Sequence, residues 1–165
     1  MTTQTIKVGI CGLGTVGQGV IALLSEGGDV LSNRVGGTIE LVHVATRTPK
    51  PGVDTLGARD SRDVFDVARD PDVDVLIELI GGPTVAKDLV VEALNHGKHV
   101  VTANKALLAD HGEELFALAE SKGVALRFEA AVAGGIPVIE AVKTSLAGNH
   151  VSSVAGIING TGNFI

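Results

Sequence analysis

The chain has 165 residues, enough for one well-buried core but short for a nucleotide domain joined to a full substrate domain, so one complete domain and the start of another are expected. Its 19 acidic against 13 basic residues give a net charge of −6, and it lacks Trp and Tyr, which argues against a nucleic-acid partner that needs phosphate neutralisation and base stacking. No apolar run is long enough to cross a bilayer, residues 1–7 do not read as a secretory leader, and the single cysteine, Cys11, cannot form an internal disulfide; a cytoplasmic protein is the expectation.

Hydrophobic residues make up 45% of the chain while aromatics make up 2%, a balance that favours Val/Ile/Leu strands covered on both faces. The run 6–11 is short, apolar and partly β-branched, and predicts a strand that leads directly into Gly12-Leu13-Gly14-Thr15-Val16-Gly17. Val16, Val20, Leu23 and Leu24 then recur at helical spacing. This helix is expected to fray or kink at Gly27-Gly28, with Leu31 and Val35 continuing it. A second strand is predicted over 40–46, and 49–70 reads as loop with one short helix.

The run 73–80 predicts the most apolar strand, followed by Gly81-Gly82-Pro83 and a helix carrying Val85, Leu89, Val90 and Leu94 that stops at Gly97. Residues 98–102 return as a strand, 106–122 as a helix capped by Gly123, and 124–132 as a further strand. Strands that alternate with helices imply parallel pairing through right-handed crossovers. The expected fold is therefore α/β, an open doubly wound parallel sheet with ligands beyond the carboxyl ends of its strands.

Gly12, Gly14 and Gly17 match the G-x-G-x-x-G pattern, in which the three glycines serve a tight turn, close approach of pyrophosphate, and close helix–strand packing. Glycines also serve ordinary turns, but the setting between a strand and an apolar helix favours a dinucleotide. NAD-selective sites place an acid at the end of the second strand, whereas here that end reads Ala45-Thr46-Arg47-Thr48-Pro49-Lys50. Arg47 can fork onto a 2′-phosphate, with Lys50 or Arg59 as further positive charge, so NADP(H) is expected to be preferred with NAD(H) as the alternative.

Further along, Gly81-Gly82-Pro83-Thr84 either admits the nicotinamide half of the cofactor or simply turns the chain. Glu78 lies inside a strand, where an acid is costly unless hydrogen-bonded. Lys105, at the end of the 98–102 strand, is either a cation pointing into the crevice or a snorkelling surface lysine. The segment 128–137 combines Glu129 with a turn that exposes several carbonyls, a set suited to a hard cation and equally to an ordinary helix start. His43, His96, His99, His111 and His150 show no metal-binding spacing and read as surface or capping residues.

In order, GLGTVG, ELIGG, TANKALLA, FEAAVAGGIPVI and GIINGTGNFI resemble homoserine dehydrogenases across nearly the whole chain. The resemblance implies a Rossmann-type NAD(P)-binding domain over 1–150 and the beginning of a substrate domain over 151–165. It further implies NAD(P)-linked reduction of aspartate 4-semialdehyde to homoserine, by hydride transfer to the aldehyde carbon and protonation of the alkoxide. By that likeness Gly12, Leu13, Gly14, Thr15, Val16, Gly17 and Arg47 hold the cofactor, Thr102 lies near it, and Lys105 contacts cofactor or substrate in a supporting catalytic role. Glu129 with the carbonyls of Val132, Gly134 and Ile136 matches the family's monovalent cation site, usually assigned to sodium.

Gly162 and Phe164 stand where many members carry Thr and Tyr. The resemblance also implies that the substrate-binding acids and the main proton-donating lysine lie beyond Ile165, which leaves Lys105 only a supporting part. These residues alone are therefore expected to bind cofactor and to turn over little or nothing, with the full enzyme a homo-oligomer. Two readings compete. One is an oxidoreductase of the same fold for another aldehyde or a sugar, and the other is a non-catalytic NAD(P)-binding sensor or assembly module.

Overall fold

In a computed structural model, residues 4–156 are described. Gly162, Phe164 and Ile165 lie outside them, and with these the expected opening of the substrate domain from residue 157 onward and the point beyond Ile165 at which the main proton donor is expected. Six strands form one all-parallel sheet: β1 (Gln4–Cys11), β2 (Gly37–Ala45), β3 (Arg59–Ser61), β4 (Val75–Glu78), β5 (His99–Thr102) and β6 (Leu126–Arg127), in the order β3-β2-β1-β4-β5-β6. The order reverses between β1 and β4. That is the switch point at which a doubly wound sheet leaves a crevice beyond its carboxyl edge.

Helices cover both faces. On one side α1 (Thr15–Glu26) and α2 (Gly28–Val35) join β1 to β2, and Ile21 packs with Val8, Ile10, Leu13, Leu41 and Val44. On the other, α3 (Val64–Arg69), α4 (Thr84–Asn95) and α5 (Lys105–Lys122) bury Val67, Leu89, Val90, Leu94, Leu107 and Leu115 against Leu76 and Val100. Strands sandwiched this way are apolar on both faces, which explains the unalternating apolar residues 75–77 and 100–101 at the centres of β4 and β5. No helix among the described residues is long and apolar enough to cross a membrane.

Several boundaries differ from the sequence expectation. At Gly27 (φ −102, ψ 9) the first helix ends and α2 begins, so the expected kink is a break between two helices; α2 buries no residue and ends at left-handed Gly36. Within the expected loop 49–70, β3 pairs with β2 alone, by backbone bonds that need no apolar side chain. The strand expected over 124–132 contracts to Leu126–Arg127, because Phe128 (φ −149, ψ 20) leaves the extended conformation and a 3₁₀ turn, Glu129–Ala131, follows.

His43 is not a surface residue. It is 2% exposed, with Nδ1 2.7 Å from Asp70 Oδ2. Arg59 donates to the same oxygen at 2.8 Å, the Asp72 amide donates to the other oxygen, and buried Lys98 donates to the carbonyls of Asp70 and Val73. Burial opposes ionisation of Asp70, but the Asp72 amide, His43 and Arg59 outweigh it and hold its carboxyl below the ordinary value. Of the other histidines, His96 lies against the Glu92 carbonyl at the end of α4, and His99 Nδ1 accepts from the Ala125 amide.

Candidate functional site

The carboxyl end of β1 turns at Gly12, whose φ of +105° is strained for any residue with a side chain. A Cβ there would also lie 2.5 Å from the Leu79 carbonyl oxygen, since the loop after β4 passes directly beside it. The Gly12 amide donates to Ala45 at 2.8 Å and the Leu79 amide to Cys11 at 2.8 Å, so β2 and β4 both brace the turn. Buried Leu13 anchors the loop, and Gln18 Nε2 donates to the Leu13 carbonyl at 3.1 Å. Burial, with the negative field of Glu78 added, pushes the neighbouring Cys11 thiol upward, so it stays protonated.

Gly17 seats α1 on this turn, because a Cβ would drive into the Gly12 carbonyl. Gly14 behaves differently: at the N-cap of α1 (φ −75, ψ −167) it has no atom within 4 Å of where a Cβ would stand. Nothing among the described residues requires glycine there. No side chain caps α1, its first turn holds no acid, and Thr15 and Val16 are exposed, so its amide groups are open to an anion. A pyrophosphate over Gly14 fits this arrangement.

At the end of β2, Thr46 is buried and its hydroxyl donates to the Thr48 carbonyl at 3.1 Å, folding the following residues into a turn. Arg47 and Lys50 are exposed and form no ion pair among the described residues. Arg59, expected as further positive charge here, is instead committed to Asp70. Arg62 takes its place beside the turn: it donates to the Thr46 carbonyl at 3.3 Å and is held by Asp60 at 2.9 and 2.6 Å. Sequence reasoning misses Arg62 because β3, which positions it, carries no apolar signal.

Beyond β4 and β5 lies a buried polar group. Glu78 and Thr102 are in register, and the Thr102 hydroxyl donates to Glu78 Oε2 at 2.6 Å while the Ile80 amide donates to Oε1 at 2.9 Å. Thr102 accepts the Asn104 amide at 3.0 Å, so its hydroxyl is engaged and fully buried beneath the crevice rather than exposed at its surface. In the sequence only its place before a helical run, an N-cap signal, marks Asn104. It caps α5 by accepting the Leu107 amide at 3.1 Å and donates through Nδ2 to the Gly82 carbonyl at 2.7 Å. Lys105, the first residue of α5, is exposed at the same edge and has no hydrogen-bond or ion-pair partner among the described residues.

The Glu129 carboxylate accepts the Ile139 and Glu140 amides, each at 3.0 Å, and thereby caps the helical turn Val138–Glu140, which continues into a π-helical turn, Ala141–Ser145. Ala133 and Gly134 are consecutive left-handed residues, and the carbonyls of Val132 and Gly134 accept no hydrogen bond among the described residues. The Ile136 carbonyl accepts the Val138 amide at 2.8 Å. Among the described residues no group of three or more His, Cys, Asp and Glu side chains is placed to hold a metal. Phe128 ties this segment to α5, with its ring centroid 5.0 Å from that of Phe116 and Lys143 Nζ 4.9 Å from its face.

Sheet order, the glycine turn at the switch point and the uncapped α1 define a dinucleotide-binding domain of the Rossmann type. The family model for the homoserine dehydrogenase NAD-binding domain matches residues 12–129, and a second model described as homoserine dehydrogenase matches 137–165. Homoserine dehydrogenase of Pseudomonas aeruginosa is 55% identical over 162 residues, 98% of this chain and 37% of that protein. That of Neisseria gonorrhoeae is 45% identical over 163 residues, 98% of this chain and 38% of that protein.

The crystal structure of a homoserine dehydrogenase from Thiobacillus denitrificans matches at a TM-score of 0.84 and 44% identity, over 89% of this chain and 34% of that one. The chain belongs to the homoserine dehydrogenase family, and it spans 37% of the length of the Pseudomonas relative.

Proposed function

We propose that this chain carries the NADP(H) site of an NAD(P)-linked homoserine dehydrogenase, which interconverts aspartate 4-semialdehyde and homoserine on the way to threonine, methionine and isoleucine. The observation that carries the cofactor reading is the open space above Gly14 at the uncapped N-terminus of α1. Substrate identity rests on the names of relatives such as the Pseudomonas protein, 55% identical. In this reading residues 1–150 form the cofactor unit, 151–165 open the substrate unit, the main proton donor follows Ile165, and the whole enzyme is a homo-oligomer.

The bound reduced nicotinamide supplies the hydride. The protein's part is position and charge. The backbone of Gly12, Leu13, Gly14, Thr15, Val16 and Gly17 holds the pyrophosphate, and Arg47, which forms no ion pair among the described residues, takes the 2′-phosphate. Lys105 brings an ammonium to the crevice, where it orients the aldehyde or stabilises its oxygen. Thr102 contributes from below by holding the start of α5 in place.

Sodium at the 129–136 turn belongs to the same proposal. Its support is one carboxylate with lone pairs remaining after two amide bonds, together with the unpaired carbonyls of Val132 and Gly134; Ile136 joins them if its carbonyl accepts both an amide and the ion. Calorimetric titration of the chain with NADPH and NADH tests the central reading, and tighter binding of NADPH is expected. A folded chain that binds neither overturns it. For the cation, thermal stabilisation by sodium over choline should disappear in Glu129→Ala; stabilisation that survives removes Glu129 from the site.

A further inference from the structure

Two carboxyl side chains are buried among the described residues, and they are treated differently. Asp70 meets His43 and Arg59, whereas Glu78 is fully buried with no basic partner among the described residues. An apolar side chain would continue the pattern of β4 at lower cost, so a reason for the acid is needed.

The hydrogen bonds supply one. They form a closed circuit: the Ile80 amide to Glu78, Thr102 to Glu78, the Asn104 amide to Thr102, and Asn104 Nδ2 to the Gly82 carbonyl, with the chain from 80 to 82 completing the ring. Gly81 and Gly82, at φ +71° and +74°, are consecutive left-handed residues with no atom within 4 Å of either Cβ position, so their own packing does not hold the turn. Asn104 holds Gly82, and Thr102 helps to hold Asn104. Glu78 orients Thr102 by taking its proton into a hydrogen bond, which leaves the hydroxyl oxygen free to accept from Asn104.

We propose that Glu78 is a positioning residue for the nicotinamide half of the cofactor, acting through Thr102 and Asn104 on the Gly81-Gly82 turn and on the start of α5 that carries Lys105. The proposal rests on the cofactor reading above. The adenosine half lies over the Gly12–Gly17 turn and the end of β2; Leu79 braces that turn through a backbone bond to Cys11 in which the Glu78 side chain takes no part, so disturbing the side-chain circuit has a directional consequence. Glu78→Gln is isosteric but offers one acceptor oxygen instead of two: with that oxygen on the Ile80 amide, the Gln NH2 meets Thr102 as a donor, so the hydroxyl proton loses its acceptor and the hydroxyl oxygen must take both the Gln and the Asn104 amide protons.

The test is calorimetric titration of the 165-residue chain with NADPH and with adenosine 2′,5′-bisphosphate, which lacks the nicotinamide half. Glu78→Gln and Thr102→Val should weaken NADPH about tenfold, leave adenosine 2′,5′-bisphosphate within about twofold of the parent, and be mirrored by recovery in Thr102→Ser. Equal weakening of both ligands, or unchanged NADPH binding, overturns the positioning role. If Glu78→Gln does not fold, Thr102→Ser against Thr102→Val carries the comparison. Should the parent bind neither ligand, the cofactor reading and the positioning role that depends on it both fall. Faster amide exchange of Ile80 and Asn104 in the variants then still establishes the circuit's grip on the turn, and unchanged exchange removes that as well.

Discussion

Gly14 and Gly17 lie three residues apart in one motif, yet the structure assigns them opposite kinds of dependence. A methyl group at Gly17 meets the Gly12 carbonyl oxygen in hard overlap and its carbon at 3.1 Å, with backbone on both sides of the contact. α1 must then lift from β1, and overpacking of this kind costs about 1–3 kcal/mol. Against a total stability of about 5–15 kcal/mol, that lowers the melting temperature by roughly 2–4 °C per kcal/mol for a chain of this size. At Gly14 the backbone (φ −75, ψ −167) is one that alanine adopts freely and the space around it is open, so only the poorer N-cap counts, about 0.5 kcal/mol. The same methyl stands in the space proposed for the pyrophosphate, and in that reading NADPH affinity should fall at least about tenfold, or ~1.4 kcal/mol. Urea denaturation and calorimetric titration of both variants separate the two effects. Gly14→Ala binding NADPH like the parent would remove the phosphate from that position, and Gly17→Ala as stable as the parent would refute the packing argument.

Arg47→Ala should weaken NADPH about tenfold while leaving NADH within about twofold, because only the 2′-phosphate is lost as a partner; equal loss for both cofactors speaks against the assignment. Asp70, whose folded carboxyl titrates below its ordinary value, contributes stability that is present above about pH 4 and lost as pH falls through its folded value. Urea midpoints should therefore show Asp70→Asn furthest below the parent at neutral pH and closing on it in acid, and a gap independent of pH contradicts the network. Leu89→Ala removes a fully buried side chain from α4 and should cost about 2–5 kcal/mol, read from the same urea curves, with a loss under about 1 kcal/mol counting against the packing described.

Arg59 and Arg62 mark the limit of what local pattern reveals. Both are arginines close to the expected cofactor region, but which one stands beside the end of β2 depends on β3, a three-residue edge strand held to β2 by backbone bonds and invisible to hydrophobic periodicity. His43 is similar: nothing adjacent in the chain announces Asp70, 27 residues away, as its partner. Glu129 matches a motif, while its two amide bonds to Ile139 and Glu140 depend on a turn that the expected strand would not have made.

Central strands, the α4 and α5 helices and the glycine turn were legible because each expresses a local requirement: apolar side chains for a covered strand, helical spacing for a buried face, glycine where φ is positive or backbones touch. By itself the sequence determined the doubly wound fold, a crevice at the carboxyl edge of its sheet and the lack of an acid within residues 45–50. Tertiary structure alone decided which charges are free and which are engaged among the described residues: Arg47 and Lys105 open, Arg59 bound to Asp70, and Thr102 buried over Glu78. The physical reason is that hydrogen bonds and ion pairs close between residues brought together by strand order, and strand order places β4 beside β1 and β5 beside β4 across long intervening stretches of chain.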